Sequence, residues 1–444
     1  MSLRGSFLFS GDAAPPGHPY WWDEAPPEDT GDALPDKVDL LIVGGGYTGL
    51  SAAIAAHDAG AKVAVVDSGQ PGRGASSRNG GMVGAHPRLP WEALERHFGE
   101  KVADAVFAEA APALDFVHYL MVREGIECDY QRCGRVQMAY TAAHHDGQKR
   151  LATALADKSS VKAQVLDREA MLGEINTPLY KGAILFPEHG ALHPGKYHRG
   201  MLRAVGRRGV PVTGDCAVTG WERDAAGFEV NTARGTVRAE KLLLATNGYT
   251  PTTFRWFNRR IFALPSYIIA TEPLSANLIG DLAPGRRTMV ETRARHSYFR
   301  LSPDGTRVLY GGRASMVGID LRKAAARLHA TMCEVWPDMA GVKISHVWSG
   351  NTGFSFRQMP HVGEHDGVHY ALGYSGSGTV MAPYLGAKAA LRALGDPGGS
   401  TVFSKTVLTP SLLHPGGPPH FLKAANAWYR GYVDRAEGRA ARRS

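Results

Sequence analysis

The feature that most constrains this chain is a strand, glycine-rich turn and helix near its N-terminus. An apolar strand, Asp39 to Val43, leads into Gly-Gly-Gly-Tyr-Thr-Gly at 44–49, which has the spacing G-x-G-x-x-G. A helix-like run continues to Ala59, and a second strand, Lys62 to Val66, ends at Asp67. Such a unit holds a pyrophosphate at its helix N-terminus, where backbone N–H groups are free. The pattern predicts a dinucleotide site; a glycine-rich turn in another α/β fold is the alternative.

Each residue type in this unit has a physical role. The first glycine allows a sharp turn, the second lets the pyrophosphate approach the backbone, and the third lets the helix pack on the strand. Asp67 lies 18 residues after Gly49, where a carboxylate can accept hydrogen bonds from ribose hydroxyls. The candidate dinucleotide contacts here are Gly44, Gly46, Tyr47, Thr48, Gly49 and Asp67.

The loop after the second strand favours FAD over NAD(P). Residues 68–82 are mostly small and polar, and an NAD-binding unit needs no such loop. A flavin needs one, because its ribityl chain and ring must be held beyond the pyrophosphate. The candidate contacts in this loop are Ser68, Ala75, Ser76, Ser77, Arg78, Asn79, Gly80, Gly81 and Met82.

Three segments, taken together and in order, resemble the D-amino-acid oxidase superfamily of flavoenzymes. They are GGGYTGLSAA at 44–53, GASSRNGG at 74–81 and LGYSGSGT at 372–379. Within that superfamily the chain is most similar to the gamma-glutamylputrescine oxidase-like amine oxidases, from about residue 20 to about residue 435. The resemblance implies an α/β fold: a discontinuous, Rossmann-like FAD-binding domain with an inserted mixed-sheet substrate domain of the α+β kind.

The resemblance and the composition together imply a division of the chain. An irregular lead-in, 1–36, carries Tyr20, Trp21 and Trp22 as an apolar anchor. The expected segments are 37–90, 185–255 and 340–395 for the FAD-binding domain, 91–184 and 256–339 for the substrate domain, and 396–444 for a C-terminal extension with a helix at 419–436 and a basic tail.

Further cofactor contacts are expected outside the first unit. Small residues ahead of a helix that starts near Val380 let the backbone approach a flat ring, and the helix N-terminus favours negative charge on a reduced flavin. These contacts are Gly373, Ser375, Gly376, Ser377, Gly378 and Thr379. The resemblance adds Ala245, Thr246, Asn247 and Gly248 as a second cofactor contact and Val218 beside the adenine.

The resemblance also implies that FAD is bound without a covalent bond. Some relatives attach flavin through a histidine in the first loop, and 76–81 contains none. Others use a cysteine near a later strand, where this chain has Thr352.

Candidate catalytic residues are tyrosines and an arginine of the substrate domain. Tyr298 resembles the substrate-facing tyrosine of the superfamily, and Tyr267 is a second candidate. Arg300 is a third, although we expect it to alternate to the other strand face and so to lie away from that pocket. Aromatic side chains that suit a pocket wall for an alkylammonium are Trp348, Phe354 and Phe356.

One departure from the amino-acid oxidases bears on the substrate. Those enzymes place an arginine after a Trp-x-Gly strand end to hold the substrate carboxylate, whereas here Trp348-Ser349-Gly350 is followed by Asn351-Thr352-Gly353. Arg357 comes later, and we expect it on another surface. This favours an amine, or a carboxylate farther from the nitrogen, over a simple α-amino acid.

The expected function is FAD-dependent oxidation of a primary or secondary amine, such as a polyamine derivative or an N-alkyl amino acid. Hydride passes to flavin N5, the imine is hydrolysed, and O2 reoxidises the cofactor to give H2O2. The alternatives are an amino-acid dehydrogenase that passes electrons to a quinone or protein, and an FAD-carrying subunit of a larger oxidase. The lysine used for oxygen activation in some sarcosine-type oxidases has no counterpart, which leaves oxidase and dehydrogenase both open.

Composition excludes several other classes. The chain has 444 residues, 44% hydrophobic, without a continuous apolar stretch that predicts a membrane span or signal peptide. Its formal net charge of +8 gathers partly in the C-terminal tail and accompanies no nucleic-acid-binding motif. Four scattered cysteines predict neither a disulfide framework nor a metal site. We therefore expect a cytoplasmic enzyme whose partner is a small-molecule amine.

Overall fold

The structure is a computed structural model that describes residues 8–443; residues 1–7 of the expected lead-in and Ser444 of the tail lie outside that range. Its strands, in chain order, are β1 (Lys37–Val43), β2 (Val63–Val66), β3 (Met82–Val83), β4 (Arg135–Met138), β5 (Gln164–Leu166), β6 (Ala183–Phe186), β7 (Gly190–Ala191), β8 (Val212–Thr213), β9 (Val218–Asp224), β10 (Gly227–Thr232), β11 (Gly235–Leu244), β12 (Ile261–Thr271), β13 (Thr288–Glu291), β14 (Ser297–Leu301), β15 (Val308–Gly312), β16 (Ile344–Ser355), β17 (His361–His365) and β18 (Val368–Leu372).

The helices pack around these strands through their apolar faces. In chain order they are α1 (Tyr47–Asp58), α2 (Trp91–Phe98), α3 (Glu100–Arg123), α4 (Ala142–Lys158), α5 (Arg168–Leu172), α6 (Pro194–Gly206), α7 (Arg255–Asn258), α8 (Ala276–Leu282), α9 (Leu321–Val335), α10 (Gly378–Ala393), α11 (Phe421–Trp428) and α12 (Asp434–Arg443).

The first sheet is Rossmann-like with strand order β17-β18-β11-β1-β2-β8; the strands from β18 to β8 are parallel, and the edge strand β17 is antiparallel to β18. β1 pairs in parallel with β2 and β11, and β18 pairs in parallel with β11, as expected for strands that are apolar on both faces. A β9–β10 hairpin extends from β11. Helices α1 and α10 pack together in the core on one face, where a Cβ on Gly386 would lie 2.2 Å from the carbonyl oxygen of Thr48. The predicted FAD-binding fold is confirmed.

The second sheet is mixed, with strand order β16-β12-β15-β14-β13-β4-β6-β5. β4 and β13 pair in parallel, and the other neighbours are antiparallel. One face packs on α8 and α9 through a core that includes Phe299, Tyr310 and Trp336. This sheet is the predicted mixed-sheet substrate domain.

Three of the expected domain boundaries are wrong. β16 runs to Ser355 in the second sheet, paired along its length with β12, so the FAD-binding segment begins after it and not at residue 340. The boundary at residue 185 cuts through β6, which pairs with β4 and β5 in the second sheet. Helices α2 and α3 were expected in the substrate domain, but their apolar residues share one core with α1 and α10.

Helix α3 is long and apolar enough to meet a length and hydropathy criterion for a membrane crossing. It lies in the core against α10, with Phe107, Leu114 and Leu120 fully or almost fully buried. Its composition is therefore explained by packing within the protein.

The C-terminal extension forms the predicted helix, which begins at Phe421 and is interrupted by a π-turn at Tyr429–Val433 before α12. Leu422 is buried against Leu264 and Phe354 of the second sheet. Asp434 pairs with Arg295, which fixes α12 to the same side of the molecule. The extension thus packs on the substrate domain.

Candidate active site

The glycine-rich turn has the geometry that a pyrophosphate site requires. Gly44 has φ +114°, in the region that favours glycine, and turns the chain from β1 into α1. A Cβ on Gly49 would lie 1.8 Å from the carbonyl oxygen of Gly44, so only glycine allows α1 to pack this closely on the turn. A Cβ on Gly46 would lie 2.8 Å from the Ser76 hydroxyl. The turn and the loop at residues 68–82, which we call the flavin loop, therefore meet at the N-terminus of α1.

Asp67 and Ser76 contact this turn through their side chains. The Asp67 carboxylate accepts hydrogen bonds from the N–H groups of Gly45 (2.7 Å) and Gly69 (3.1 Å). Burial raises the pKa of Asp67. The Ser76 hydroxyl accepts from the Tyr47 N–H (3.0 Å) at the first turn of α1. Each carboxylate oxygen retains a further lone pair, so the contact predicted between Asp67 and ribose hydroxyls remains available.

Three indole side chains hold the flavin loop, and two of them, Trp21 and Trp348, are fully buried. Trp21 donates to the carbonyl of Asn79 (2.8 Å), and Trp348 donates to the carbonyl of Arg78 (2.8 Å). Trp22 donates to the Ser77 hydroxyl (2.9 Å). The sequence indicated that Trp21 and Trp22 were an apolar anchor, but gave no signal that their N–H groups position the cofactor loop.

The later cofactor segments converge on the same edge of the first sheet. Asn247, just after β11, accepts a hydrogen bond from the N–H of Gly373 (3.0 Å), which joins the second predicted contact to the loop before α10. The Thr48 hydroxyl and the Tyr374 hydroxyl share a hydrogen bond (2.8 Å) that joins α1 to that loop. Val218 is buried at the start of β9.

A cavity of about 800 Å³ lies between the two sheets. One side consists of the predicted flavin segments: Ala75, Arg78, Asn79, Gly80 and Met82 of the first loop, and Gly376, Ser377 and Thr379 at the start of α10. The opposite side is the second sheet. The residues present fit FAD, because the flavin loop, which contacts the nucleotide turn through Ser76, and the N-terminus of the 16-residue helix α10 line one cavity large enough for a flavin ring. Bound there, FAD supplies a two-electron hydride acceptor.

Tyr298, the first of the candidate catalytic residues, lines this cavity from β14. A Cβ on Gly80 would lie 3.0 Å from its ring, so the phenol stands directly beside the flavin loop. Its hydroxyl shares a hydrogen bond with Ser266 of β12 (2.8 Å). Burial raises the pKa of Tyr298 to about 12, so it stays protonated at neutral pH.

Tyr267 and Arg300 do not line the cavity. The Tyr267 hydroxyl donates to the carbonyl of Val317 and accepts from the N–H of Ile319 (both 3.0 Å), within the core behind the sheet. It follows Ser266, and successive strand residues point to opposite faces, so Ser266 faces the cavity and Tyr267 does not.

The expectation for the face occupied by Arg300 was wrong. Residues i and i+2 of a strand point the same way, so Arg300 shares the face of Tyr298. It lies farther along β14 and donates to the carbonyls of Gly81 (3.2 Å) and Leu192 (2.8 Å), 5.6 Å above the Trp21 ring. It therefore supports the end of the flavin loop, outside the cavity.

Aromatic side chains close another side of the cavity. Phe354 and Phe356 line it as expected, whereas Trp348 holds the flavin loop instead. The C-terminal extension adds residues that the sequence did not connect with the site: Phe421, Leu422, Ala425 and Tyr429. Thr352 also lines the cavity, and Arg357 lies outside it, beside His97.

The remaining wall is strongly cationic. The described residues that line the cavity include one carboxylate, Glu291, and five arginines: Arg78, Arg88, Arg135, Arg293 and Arg313. Two of the arginines have strong partners. Arg293 pairs with Glu291 (2.8 Å) and Glu334 (2.7 Å), and Arg78 donates to backbone carbonyls.

The other three arginines have weak partners. Arg88 donates to the Gln358 amide at 3.4 Å, Arg313 to a backbone carbonyl at 3.5 Å, and Arg135 to the neutral ring of His86 at 3.3 Å. No carboxylate of the described residues lies within ion-pair distance of these three guanidinium groups. Burial lowers the pKa of Arg135 and of Arg313 to about 10, and both remain charged at neutral pH.

Two histidines accompany these arginines and are kept neutral. Burial, followed by the charges of Arg135 and Arg88, lowers the pKa of His86 to about 3. His296 faces the cavity from the turn before β14, and no described residue hydrogen-bonds its ring. Burial, and then the nearby arginine charges, hold the pKa of His296 well below its usual range. His296 is therefore an unprotonated base in contact with the cavity.

Comparisons with known proteins agree with this geometry. Residues 39–392 match the family of FAD dependent oxidoreductases. The chain is 29% identical over 361 residues to the probable oxidoreductase OrdL of Rhizobium meliloti (strain 1021), covering 81% of this chain and 83% of that protein. It is 29% identical over 387 residues to the gamma-glutamylputrescine oxidoreductase of Escherichia coli (strain K12), covering 85% and 88%.

The fold is similar to that of a glycine oxidase from Geobacillus kaustophilus, with a TM-score of 0.70, 20% identity, and coverage of 85% of this chain and 99% of that one. The predicted resemblance, fold class and cofactor are thereby confirmed. With the family match spanning the glycine-rich turn, the flavin loop and α10, this chain belongs to the FAD-dependent oxidoreductases of the D-amino-acid oxidase superfamily.

Proposed function

We propose that the protein oxidises a primary or secondary amine by transfer of a hydride from the carbon beside nitrogen to FAD. The imine is then hydrolysed, and O2 reoxidises the cofactor with formation of H2O2. Relatives that support this reaction class are named gamma-glutamylputrescine oxidoreductase and glycine oxidase. The substrate classes that we expected, a polyamine derivative and an N-alkyl amino acid, remain the starting candidates.

The observation that carries the proposal is the placement of His296 in a cationic cavity beside Tyr298 and the flavin loop. An amine must be neutral to lose a hydride. Neighbouring guanidinium groups disfavour a positively charged ammonium and so lower the pKa of a bound amine. Once the negative charge of a bound substrate offsets the guanidinium groups, the neutral imidazole of His296 can accept the proton that the amine releases. The Tyr298 hydroxyl, oriented by Ser266, positions the nitrogen next to the flavin loop.

The test is anaerobic reduction of the FAD-loaded protein by a panel of amines, followed by addition of O2. Bleaching of the flavin absorption by one class of amine, and its return within seconds with release of peroxide, would establish an amine oxidase. Slow return in air with fast return on addition of a quinone would favour the dehydrogenase. A flavin that no amine reduces would favour an FAD-carrying subunit.

A His296→Gln variant tests the proposed base. We expect the rate of flavin reduction at saturating amine to fall by about 100-fold, a typical contribution of a general base. The control is His57→Gln on the outer end of α1, away from the cavity, and its rate should match the unmodified enzyme. An unchanged rate in His296→Gln would remove His296 from the proposal.

A further inference from the structure

The cavity has an excess of positive charge that the described residues do not balance. Arg88, Arg135 and Arg313 face it without a carboxylate partner, and the one carboxylate in its lining, Glu291, is already bound to Arg293 and Tyr180. A buried charge is stable only when it is paired or hydrogen-bonded. The missing counter-charges are therefore expected on a ligand.

These three arginines form two separate groups. Arg88 and Arg313 both lie over the ring of Phe354, at 5.5 and 5.2 Å from its centroid. A Cβ on Gly376 would lie 3.5 Å from Nη1 of Arg88, so this pair is at the flavin end of the cavity, near the start of α10. We call it the near arginine pair.

Arg135 occupies a different position, on β4. Three strand spacings, through β14 and β13, separate β4 from β15, which ends just before Arg313. At about 4.8 Å per spacing, the two strands are about 14 Å apart. Arg135 therefore makes a second anion subsite, with Gln137 beside it on the same face of β4.

His296 lies between the two subsites. It belongs to the turn that joins β13 to β14, the strands between β15 and β4. The charges of Arg313, Arg88 and Arg135 all act on its ring. A nitrogen held near His296 thus has an anion subsite on either side.

We propose that the substrate is a secondary amine with a carboxylate on each side of the nitrogen, that is, an N-(carboxyalkyl) amino acid. This inference rests on the proposed amine oxidation and specifies its substrate class. The carboxylate nearer the flavin binds the near arginine pair, and the distal carboxylate binds Arg135. Such a molecule supplies the missing negative charge, and its ammonium group can lose a proton beside the guanidinium groups, whereas a free polyamine is repelled by the same arginines.

The test compares matched substrates that differ by one charge. N-(carboxyalkyl)glycines with one to four methylenes in the alkyl arm are assayed beside the corresponding terminal carboxamides and beside putrescine. We expect the best dicarboxylate to exceed its carboxamide by 10- to 100-fold in kcat/KM, as for a hydrogen bond to a charged group. Equal values for both, or faster turnover of putrescine, would overturn the proposal.

Variants assign the subsites. Arg135→Gln should lower kcat/KM for the dicarboxylate far more than for the carboxamide, so that the preference between them is lost, while Arg313→Gln should weaken both. Arg132→Gln is the matched control, because Arg132 is exposed on the segment before β4. Arg135→Lys keeps the charge and should recover part of the preference for the dicarboxylate. It replaces Arg135→Gln in this test if that variant does not fold. A dicarboxylate preference that is undiminished in Arg135→Gln, or as large in Arg135→Lys as in the unmodified enzyme, would refute the distal subsite.

A binding measurement separates this inference from the proposed reaction. Glutarate, a dicarboxylate without nitrogen, should perturb the flavin absorption and raise the thermal unfolding midpoint of the FAD-loaded protein. Both effects should be lost in Arg135→Gln. If glutarate binds in this way but no amine reduces the flavin, the amine reaction fails and the dianion site stands. If glutarate binds equally to the variant, or not at all, the dianion site fails whatever the amines do.

Discussion

Replacing Arg313 by methionine should stabilise the ligand-free protein, although it removes a side chain of the proposed site. Arg313 is partly buried and has one weak hydrogen bond, to a backbone carbonyl at 3.5 Å. Burial, with the like charge of Arg88 as the next cause, lowers its pKa to about 10. Methionine has a similar length and no charge, so the substitution removes an unpaired cation without leaving a large cavity.

The magnitude follows from two opposing terms. A pKa lowered from the ordinary arginine value to about 10 corresponds to roughly 3 kcal/mol of unfavourable free energy for the charged form. Water in the cavity screens the charge and reduces this cost. The contact with the Phe354 ring at 5.2 Å returns about 0.5–1 kcal/mol, which the variant loses. We therefore expect Arg313→Met to raise the free energy of unfolding by about 1–2 kcal/mol.

The assay is denaturant unfolding of the ligand-free protein, followed by the same measurement with glutarate. Arg96→Met on the exposed side of α2 is the control and should change stability by less than about 0.5 kcal/mol. Glutarate should reverse the order, because it stabilises the unmodified protein more than Arg313→Met. If Arg313→Met is less stable than the control without ligand, the guanidinium group has a stabilising partner and the charge argument is wrong.

Three further substitutions test other parts of the site. Tyr298→Phe should slow flavin reduction by about 10-fold while FAD content stays unchanged, measured by stopped-flow absorbance, because one hydrogen bond to substrate is lost. Glu291→Gln should lower the free energy of unfolding by about 1–3 kcal/mol in denaturant titrations, because it leaves Arg293 with the more exposed Glu334 as its remaining carboxylate partner. Gly49→Ala should abolish FAD retention on gel filtration, because its Cβ would collide with the carbonyl of Gly44 at 1.8 Å.

The cofactor half of the site was predictable because its signals are local in sequence. The turn at 44–49, the loop at 74–81 and the small residues before α10 each have a spacing that dictates one backbone geometry. The sequence was a poorer guide to which strand face each catalytic candidate occupies. Tyr298 lies beside the flavin loop, but Tyr267 points into the opposite core, since one step along a strand reverses the face. The face of β12 that carries Tyr267 is buried because helix α9, which is distant in sequence, packs on it.

The cationic wall was not predictable from local pattern. Its members come from separate elements: Arg88 from the loop before α2, Arg135 from β4, His296 from the turn after β13 and Arg313 from the end of β15. Each one alone is typical of a solvated or half-buried side chain. Their common function appears only when the sheet order β15-β14-β13-β4 brings them to one face.

The position of Arg313 changes what can be inferred about the substrate from the absence of an arginine after Gly350. Its absence from 351–353 favoured a substrate without a nearby carboxylate. In the sheet, Tyr267 of β12 pairs with Ser349 on one side and with Gly312 on the other. Arg313, the next residue, therefore reaches toward the same end of the cavity from two strands away. A strand end without arginine thus says little about the charge of a pocket, because a neighbouring strand can supply the guanidinium group in the same space.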